Sequence, residues 1–335
     1  MPLLVAAPDK FRGTASALEV AGAIATAAKA HGYEAITSPM SDGGEGFLDA
    51  LHAPTRTSVV RGPLGEAIDA RWSLLVDGTA LIESAEAAGR ALLTDPIGDD
   101  AVRASTYGVG QLVGEAVRAG ASKVIVGCGG TATTDGGLGC VQALDDLGLA
   151  VAVPIVAACD VLVAFADAPA QFGPQKGASP DQVAELEALL LEAAATYRRR
   201  FGVDVAEVPG AGAAGGLAGG LVALGASIVP GARLVADAIG LAAHLDGAEL
   251  VVTGEGRIDA GTLAGKVIEV VLSLRSALPA ILVAGEIDPG VLDELRARRD
   301  GPVEAVQLDD GRQRRLGTQR AIAEAVTTVL MGQLS

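Results

Sequence analysis

The sequence predicts an α/β protein of two domains, one of them built from both ends of the chain. Three observations carry this. Short apolar runs near both termini are each followed by a glycine-rich loop and a helical pattern, as in wound β-α units. Residues 55–83 instead alternate in short segments separated by Gly-Pro-Leu-Gly and Asp-Gly turns, an antiparallel meander. The length, 335 residues, exceeds one average core. The terminal domain is drawn at residues 1–54 and 240–335, and the inserted mixed α+β domain at 55–239.

In order, LLVAA at 3–7 reads as a buried parallel strand. The loop DKFRGTAS leads to a helix over 17–30, opened by a capping-box pattern at Ser16 and Glu19 and closed at His31-Gly32. A strand near 34–39 runs into SDGGEG and a helix through about Leu51. After the meander come a helix over 108–119, the strand KVIVG, the loop GGTATTDGG, a helix from Leu138 and a strand over 153–159. Residues 181–201 form a charged amphipathic helix. PGAGAAGGLAGG at 209–220 opens another helix, the strand ELVVTG covers 249–254, and EGRIDAGTLAGK follows as a loop before a helix. The strand AILVAG at 280–285 and a βα segment over 303–333 finish the chain, with no fixed-period repeat.

Half of the residues are hydrophobic and only 3% are aromatic, so Ala, Val, Leu and Ile must build the cores. The net charge of −16 argues against nucleic acid or an anionic membrane surface as partner. It also means that an anionic substrate needs local positive charge. Lys10, Lys176 and Lys266, three of five lysines, stand within two residues of Gly or Pro in loops rather than on helix faces. Cys128, Cys140 and Cys159 lack CxxC spacing and read as small buried hydrophobes in a reducing compartment. MPLLVAAPDK lacks a basic region and a long apolar run, so no signal peptide is read, and the expected location is the cytoplasm.

The 45 glycines cluster in loops, where glycine marks special backbone geometry or close approach to a ligand. Three loops, Ser41–Gly46, Thr134–Gly137 and Thr253–Asp259, are each expected to follow a strand and precede a helix. Ligands bind at such strand ends in open α/β sheets. An acid there can hold Mg²⁺ or accept a proton from a substrate hydroxyl. For a single loop, left-handed turns and helix caps explain the pattern better, and it is the recurrence in three loops that points to a ligand site. Gly127–Thr134 offers backbone N–H groups and hydroxyls as an anion cradle. No Walker A loop exists: Gly261–Lys266 has the wrong spacing, and Val267 stands where Ser or Thr is needed. Gly210–Gly215 matches GxGxxG, which keeps a dinucleotide-dependent oxidoreductase acting on a small hydroxy acid as the alternative. His31, His52 and His244 stand apart without metal-ligand spacing, and no GxSxG elbow occurs.

The segments APDKFRGTASALEVAGAI (7–24), PMSDGGEGFLDAL (39–51), GPLGE (62–66), GCGGTATTDGGLGCVQAL (127–144), ACDV (158–161), FGPQKGAS (172–179), VPGAGAAGGL (208–217) and VVTGEGRIDAGTLAGKV (251–267) together resemble the bacterial glycerate kinases of the non-P-loop, two-domain type. The resemblance implies a flavodoxin-like (Rossmann-like) parallel-sheet domain from both chain ends with a second domain inserted. It implies ATP-dependent phosphorylation of D-glycerate, at the 2-hydroxyl, with Mg²⁺. Carried onto this sequence, Asp135, Asp42, Lys10, Lys176 and Arg257 are the catalytic candidates. Asp9, Lys10, Arg12, Glu45, Glu255 and Asp259 are candidate glycerate contacts. Gly129, Gly130, Thr131, Thr133, Thr134, Gly136, Gly210, Gly212, Gly215 and Gly216 are candidate nucleotide contacts, and Asp135 and Asp160 candidate metal ligands. The site is expected in the cleft between the domains. Two departures stand out. The glycine-rich insertion usual between Leu149 and Pro154 is absent, and LVAFADAPAQ replaces the Asn-Pro-Leu loop usual after Asp160-Val161.

Overall fold

A computed structural model describes residues 1–93, 98–308 and 317–333. Its strands are, in chain order, β1 (Leu3–Ala6), β2 (Glu34–Thr37), β3 (Thr55–Arg61), β4 (Ala67–Leu74), β5 (Thr79–Glu83), β6 (Lys123–Gly127), β7 (Ile155–Ala158), β8 (Ser227–Val229), β9 (Leu250–Ile258), β10 (Ala280–Ile287) and β11 (Val303–Gln307). The chain divides into two compact units. The first comprises Met1–Asp42, Asp49–Leu51 and Gly231–Ser335, the second Gly43–Leu48 and His52–Pro230.

In the first unit five strands pair in the order β11-β10-β9-β1-β2, every pair parallel. Counted within the unit this is 2-1-3-4-5, the flavodoxin-like order. Strand residues alternate between faces. Leu4, Ala6, Leu250, Val252, Ile281 and Val283 share one core with residues of the helices Ala17–Ala30 and Thr318–Gln333. Val5 and Val251, on the other face, are also buried, and the helix Val267–Leu274 packs on β9. Burial on both faces is why these strands read as unbroken apolar runs. The capping box forms as predicted: Ser16 Oγ accepts from Glu19 N at 3.3 Å, and Glu19 Oε2 accepts from Ser16 N at 2.8 Å.

In the second unit six strands run β3-β4-β5-β6-β7-β8. The pairs β3-β4 and β4-β5 are antiparallel, as the meander predicted, and β5 through β8 are parallel. This is the mixed sheet expected of the inserted segment. The helices Tyr107–Arg118, Leu138–Asp146 and Leu217–Ala223 contribute Val109, Leu112, Cys140, Leu144, Leu217 and Leu221 to its core. The helix Pro180–Phe201 starts at a second capping box, Ser179 with Gln182.

Several expectations need correction. Thr253–Asp259 is not a loop: β9 continues to Ile258, because β10 also runs on and pairs Glu286 with Arg257 and Ile287 with Ile258. A side chain at Gly254 would meet Val283 O at 2.1 Å, so this glycine serves strand packing. The helix after SDGGEG is a single turn, Phe47–Ala50. β8, with three residues, and the helices Gly231–Ala238, Leu241–Asp246 and Pro289–Ala297 had no separate sequence reading. In the final βα segment, residues 309–316 lie outside the described residues.

Candidate active site

In the 2-1-3-4-5 sheet the strand order reverses between β1 and β9, and ligands bind beyond the carboxyl ends of the strands flanking such a point. The chain leaving β1 keeps close to β9 there: Ala7 N donates to Val252 O and Asp9 N to Gly254 O, both at 2.8 Å. Thr253 Oγ1 donates to Ala7 O at 2.7 Å. These bonds set Asp9 beside Glu255. Asp42, on the chain after β2, joins them, with Lys10 Nζ 3.3 Å from its Oδ1 and 3.7 Å from Asp9 Oδ1. Thr262 Oγ1 donates to Glu255 Oε1 at 2.7 Å.

The electrostatics of this cluster follow from burial. Asp9 and Glu255 are each 6% exposed. Burial pushes the Asp9 carboxyl up to about 6 against the pull of Lys10, and Asp42 adds to the rise. Burial likewise pushes Glu255 up to about 7, with the Thr262 hydroxyl and Lys266 opposing. Lys10 is disfavoured as a cation by burial, but Asp42 and Asp9 more than offset that and raise its proton affinity. The result is a permanent ammonium beside two carboxyls that exchange protons near neutrality, an arrangement suited to general acid-base work on an anionic ligand.

The second unit holds the Gly127–Asp135 loop. Residues 83–90 grip it from one side. Ser84 Oγ donates to Gly129 O at 3.3 Å, Arg90 N to Gly130 O at 3.0 Å, and Ala132 N to Ala88 O at 2.8 Å. Glu83 accepts from Gly46 N at 3.0 Å and Leu48 N at 3.2 Å, fixing the end of the SDGGEG loop. Gly129 is a glycine because the two loops meet: a side chain there would stand 2.7 Å from Gly44 Cα. Thr131 and Thr133 are 6% and 0% exposed, and neither Oγ1 finds a hydrogen-bond partner among the described residues. Buried hydroxyls normally have one, so this pair is ready for an added acceptor or donor. Lys176 Nζ donates to Thr133 O and, at 3.4 Å, to Thr134 Oγ1. Burial pulls Lys176 down to about 7, with Asp135 opposing and Arg90 adding to the fall.

Asp135 is saturated. Its carboxylate accepts from Thr106 N at 2.8 Å, Thr106 Oγ1 at 2.9 Å, Gly137 N at 3.1 Å, Gly139 N at 3.2 Å and Ser105 Oγ at 3.4 Å. It thereby satisfies free N–H groups at the N-termini of two helices, Tyr107–Arg118 and Leu138–Asp146. Thr106 Oγ1 also accepts from Cys140 N at 3.0 Å. A carboxylate offers about four lone-pair sites, so little capacity remains for a metal or a substrate proton. This donor pattern does not suit Asp135 as the expected Mg²⁺ ligand. Among the described residues no group of three or more His, Cys, Asp or Glu is arranged to hold a metal ion.

Comparison with known proteins agrees with the fold. The sequence profile of the glycerate kinase family matches residues 4–149 and 146–329. The chain belongs to the glycerate kinase family. It is 38% identical over 334 residues to the glycerate 2-kinase of Escherichia coli K12, covering 87% of each chain. It is 36% identical over 333 residues to the glycerate kinase of Halalkalibacterium halodurans, again covering 87% of each. Among solved structures it resembles that of a glycerate kinase 2 candidate from Salmonella typhimurium LT2, with a TM-score of 0.77 and 32% identity over 99% of this chain and 98% of that one.

For this glycerate kinase family member, the structure gathers Asp9, Lys10, Asp42 and Glu255 in one cluster. It gathers Gly129, Gly130, Thr131, Thr133, Thr134, Asp135, Gly136 and Lys176 in another. Other candidates fall elsewhere. Arg257 is exposed on β9 and engaged across strands with Glu286 at 3.2 Å and with Asp259 at 3.8 Å. Arg12 and Glu45 are exposed, and Asp160 lies two residues beyond β7. The glycines at 210–216 face protein backbone: side chains at Gly212 and Gly215 would meet Ala164 O at 2.4 Å and Thr133 O at 2.0 Å, while those at Gly210 and Gly216 would crowd Val161 O and Gly136 Cα. No strand precedes Gly210, so the dinucleotide fingerprint lacks its strand-turn-helix context and the alternative falls. Sequence reasoning missed Thr106, Glu83, Ser84, Arg90 and Thr262. Only Glu83 carried a signal, an acid ending the buried strand TALIE.

Proposed function

We propose that the protein transfers the γ-phosphoryl group of ATP to the 2-hydroxyl of D-glycerate, giving 2-phosphoglycerate and ADP. The observation that carries this reading is the Asp9–Lys10–Asp42–Glu255 cluster, with Asp9 and Glu255 buried, at the reversal point of a flavodoxin-order sheet. The name of the Escherichia coli relative supports the 2-position. Phosphoryl transfer demands mostly positioning and charge neutralisation. The 2-hydroxyl oxygen forms a bond to the γ-phosphorus as the bond to the ADP oxygen breaks. The hydroxyl proton passes to the carboxylates Asp9 and Glu255. Lys10 holds the glycerate carboxylate or the moving phosphoryl group, with Lys266 adding positive charge.

In the second unit the loop 129–134 receives nucleotide phosphate oxygens on backbone N–H groups and on the Thr131 and Thr133 hydroxyls, and Lys176 supplies the charge. Asp135 acts as the anchor that holds this loop on two helix ends. These local cations reconcile a net charge of −16 with anionic substrates. Mg²⁺ is expected to arrive on the nucleotide, since it usually keeps waters and few protein ligands. The three buried cysteines fit a reducing compartment, and we place the enzyme in the cytoplasm. No described helix is long and apolar enough to cross a membrane.

The test is a coupled assay with Mg-ATP, D-glycerate and enolase, without phosphoglycerate mutase. Phosphoenolpyruvate formation at the rate of ADP release supports the reading. ADP release that yields phosphoenolpyruvate only once mutase is added moves the reaction to the 3-hydroxyl. No glycerate-dependent ADP release overturns the kinase reading.

A further inference from the structure

Arg90 was absent from every sequence-based candidate set, yet it touches both walls of the loop that carries the orphaned threonines. Its backbone N–H donates to Gly130 O at 3.0 Å, tying it to the loop 129–134. Its guanidinium Nη1 donates to Gln175 O, the carbonyl next to Lys176 in the short 3₁₀ turn Pro174–Lys176. Lys176 in turn reaches back to Thr133 O and Thr134 Oγ1. The three contacts close a ring: loop to Arg90, Arg90 to the 174–176 turn, Lys176 to loop. Lys176 has a flexible four-carbon stem and sits on a one-turn element with no sheet pairing of its own, so something must fix its ammonium. Arg90 can do this because its fork is planar and rigid.

We propose that Arg90 is the positioning residue for Lys176, holding it where a nucleotide phosphate meets the Thr131 and Thr133 hydroxyls. This rests on the reading of the loop as a phosphate site. Arg90 is exposed, and the N–H bond to Gly130 is kept when Ala or Lys replaces it. A change of its side chain therefore removes the tie to the turn while leaving the loop anchored.

The experiment measures the KM for ATP, the KM for D-glycerate and the melting temperature in full-length Arg90→Ala, Arg90→Lys, Lys176→Met, the Arg90→Ala/Lys176→Met double variant and Thr133→Val. Arg90→Ala is expected to raise the KM for ATP about tenfold, the scale of one lost charge-assisted contact, with the KM for glycerate within about twofold. Arg90→Lys should recover part of that loss, because one ammonium donor still reaches the Gln175 carbonyl. The double variant should be no worse than Lys176→Met alone, since a positioner has no effect once its client is gone. A wild-type KM for ATP in Arg90→Ala overturns the inference, and so do effects that multiply in the double variant. If Thr133→Val leaves the KM for ATP unchanged, the phosphate-site reading itself fails. If Thr133→Val raises it and Arg90→Ala does not, only the role of Arg90 falls.

Discussion

Asp9 in the first unit and Asp135 in the second are both more than nine-tenths buried, and both lie beyond the carboxyl end of a parallel strand. Their surroundings differ in kind. Asp135 accepts hydrogen bonds from five groups, three of them backbone N–H groups at or beside helix N-termini. Asp9 faces a lysine and two further carboxyls, and burial raises its proton affinity. A donor-saturated carboxylate is a structural anchor, whereas a desolvated carboxylate among other charges is a reactive one. The glycine-and-acid pattern is common to both regions. The number of donors that folding delivers to each acid separates them.

The largest effect expected from breaking this contrast is catalytic and lies in the first unit. Lys10→Ala should lower kcat/KM for D-glycerate by about 10²–10³, the scale of one lost electrostatic stabiliser. Steady-state kinetics on protein of unchanged circular dichroism checks this. Asp135→Asn should do the opposite in kind. Replacing one acceptor oxygen by an NH₂ leaves buried helix-end N–H groups unpaired, which costs about 2–3 kcal/mol of stability. Denaturant melts should show that loss, while kcat per folded molecule falls less than tenfold. A large kcat defect in fully stable Asp135→Asn would return that residue to chemistry.

A third expectation sharpens the comparison through pH. Asp9 and Glu255 bind protons more tightly folded than unfolded, so their contribution to stability is full at acid pH and lost as pH rises through about 6 and about 7. Replacing Asp9 by Asn removes that loss. The melting temperature of Asp9→Asn relative to wild type should therefore rise between pH 4 and pH 7, while its kcat falls. A difference that stays constant across this range would contradict the burial argument. The smallest effect belongs to neither site: Ser16→Ala removes the cap of the helix Ala17–Ala30 at about 1 kcal/mol, with kinetics unchanged.

The fold was legible where local chemistry and global packing agree. Unbroken apolar runs such as LLVA and AILVA announced parallel strands covered on both faces. Ser16 with Glu19 announced a helix start, and the turns around residues 62–65 and 77–78 announced the meander. The reading failed where a partner far along the chain decides. TGEGRI carries two glycines and looks like a loop, yet β10 holds it as strand. The candidate site was legible as a set of loops, and Asp9, Lys10, Asp42 and Glu255 were named from sequence. The difference in hydrogen-bond donors between Asp9 and Asp135 was not, because Thr106 lies 29 residues from Asp135 in sequence and nothing in its neighbourhood points there. Arg257 misled for the same reason, since its partner Glu286 lies on the adjacent strand.

The central claim is that the first unit's buried carboxyls accept the proton of the 2-hydroxyl. The pH dependence of kcat/KM for D-glycerate, measured from pH 5 to pH 9 at saturating Mg-ATP, tests it most directly. The ATP-bound enzyme that meets glycerate must hold the acceptor deprotonated, so the rate should fall on the acid side with an apparent value between about 6 and 7, set by Asp9 and Glu255. In Glu255→Gln that limb should shift towards lower pH. A profile that stays flat down to pH 5, or a limb that Glu255→Gln leaves in place, would contradict the account.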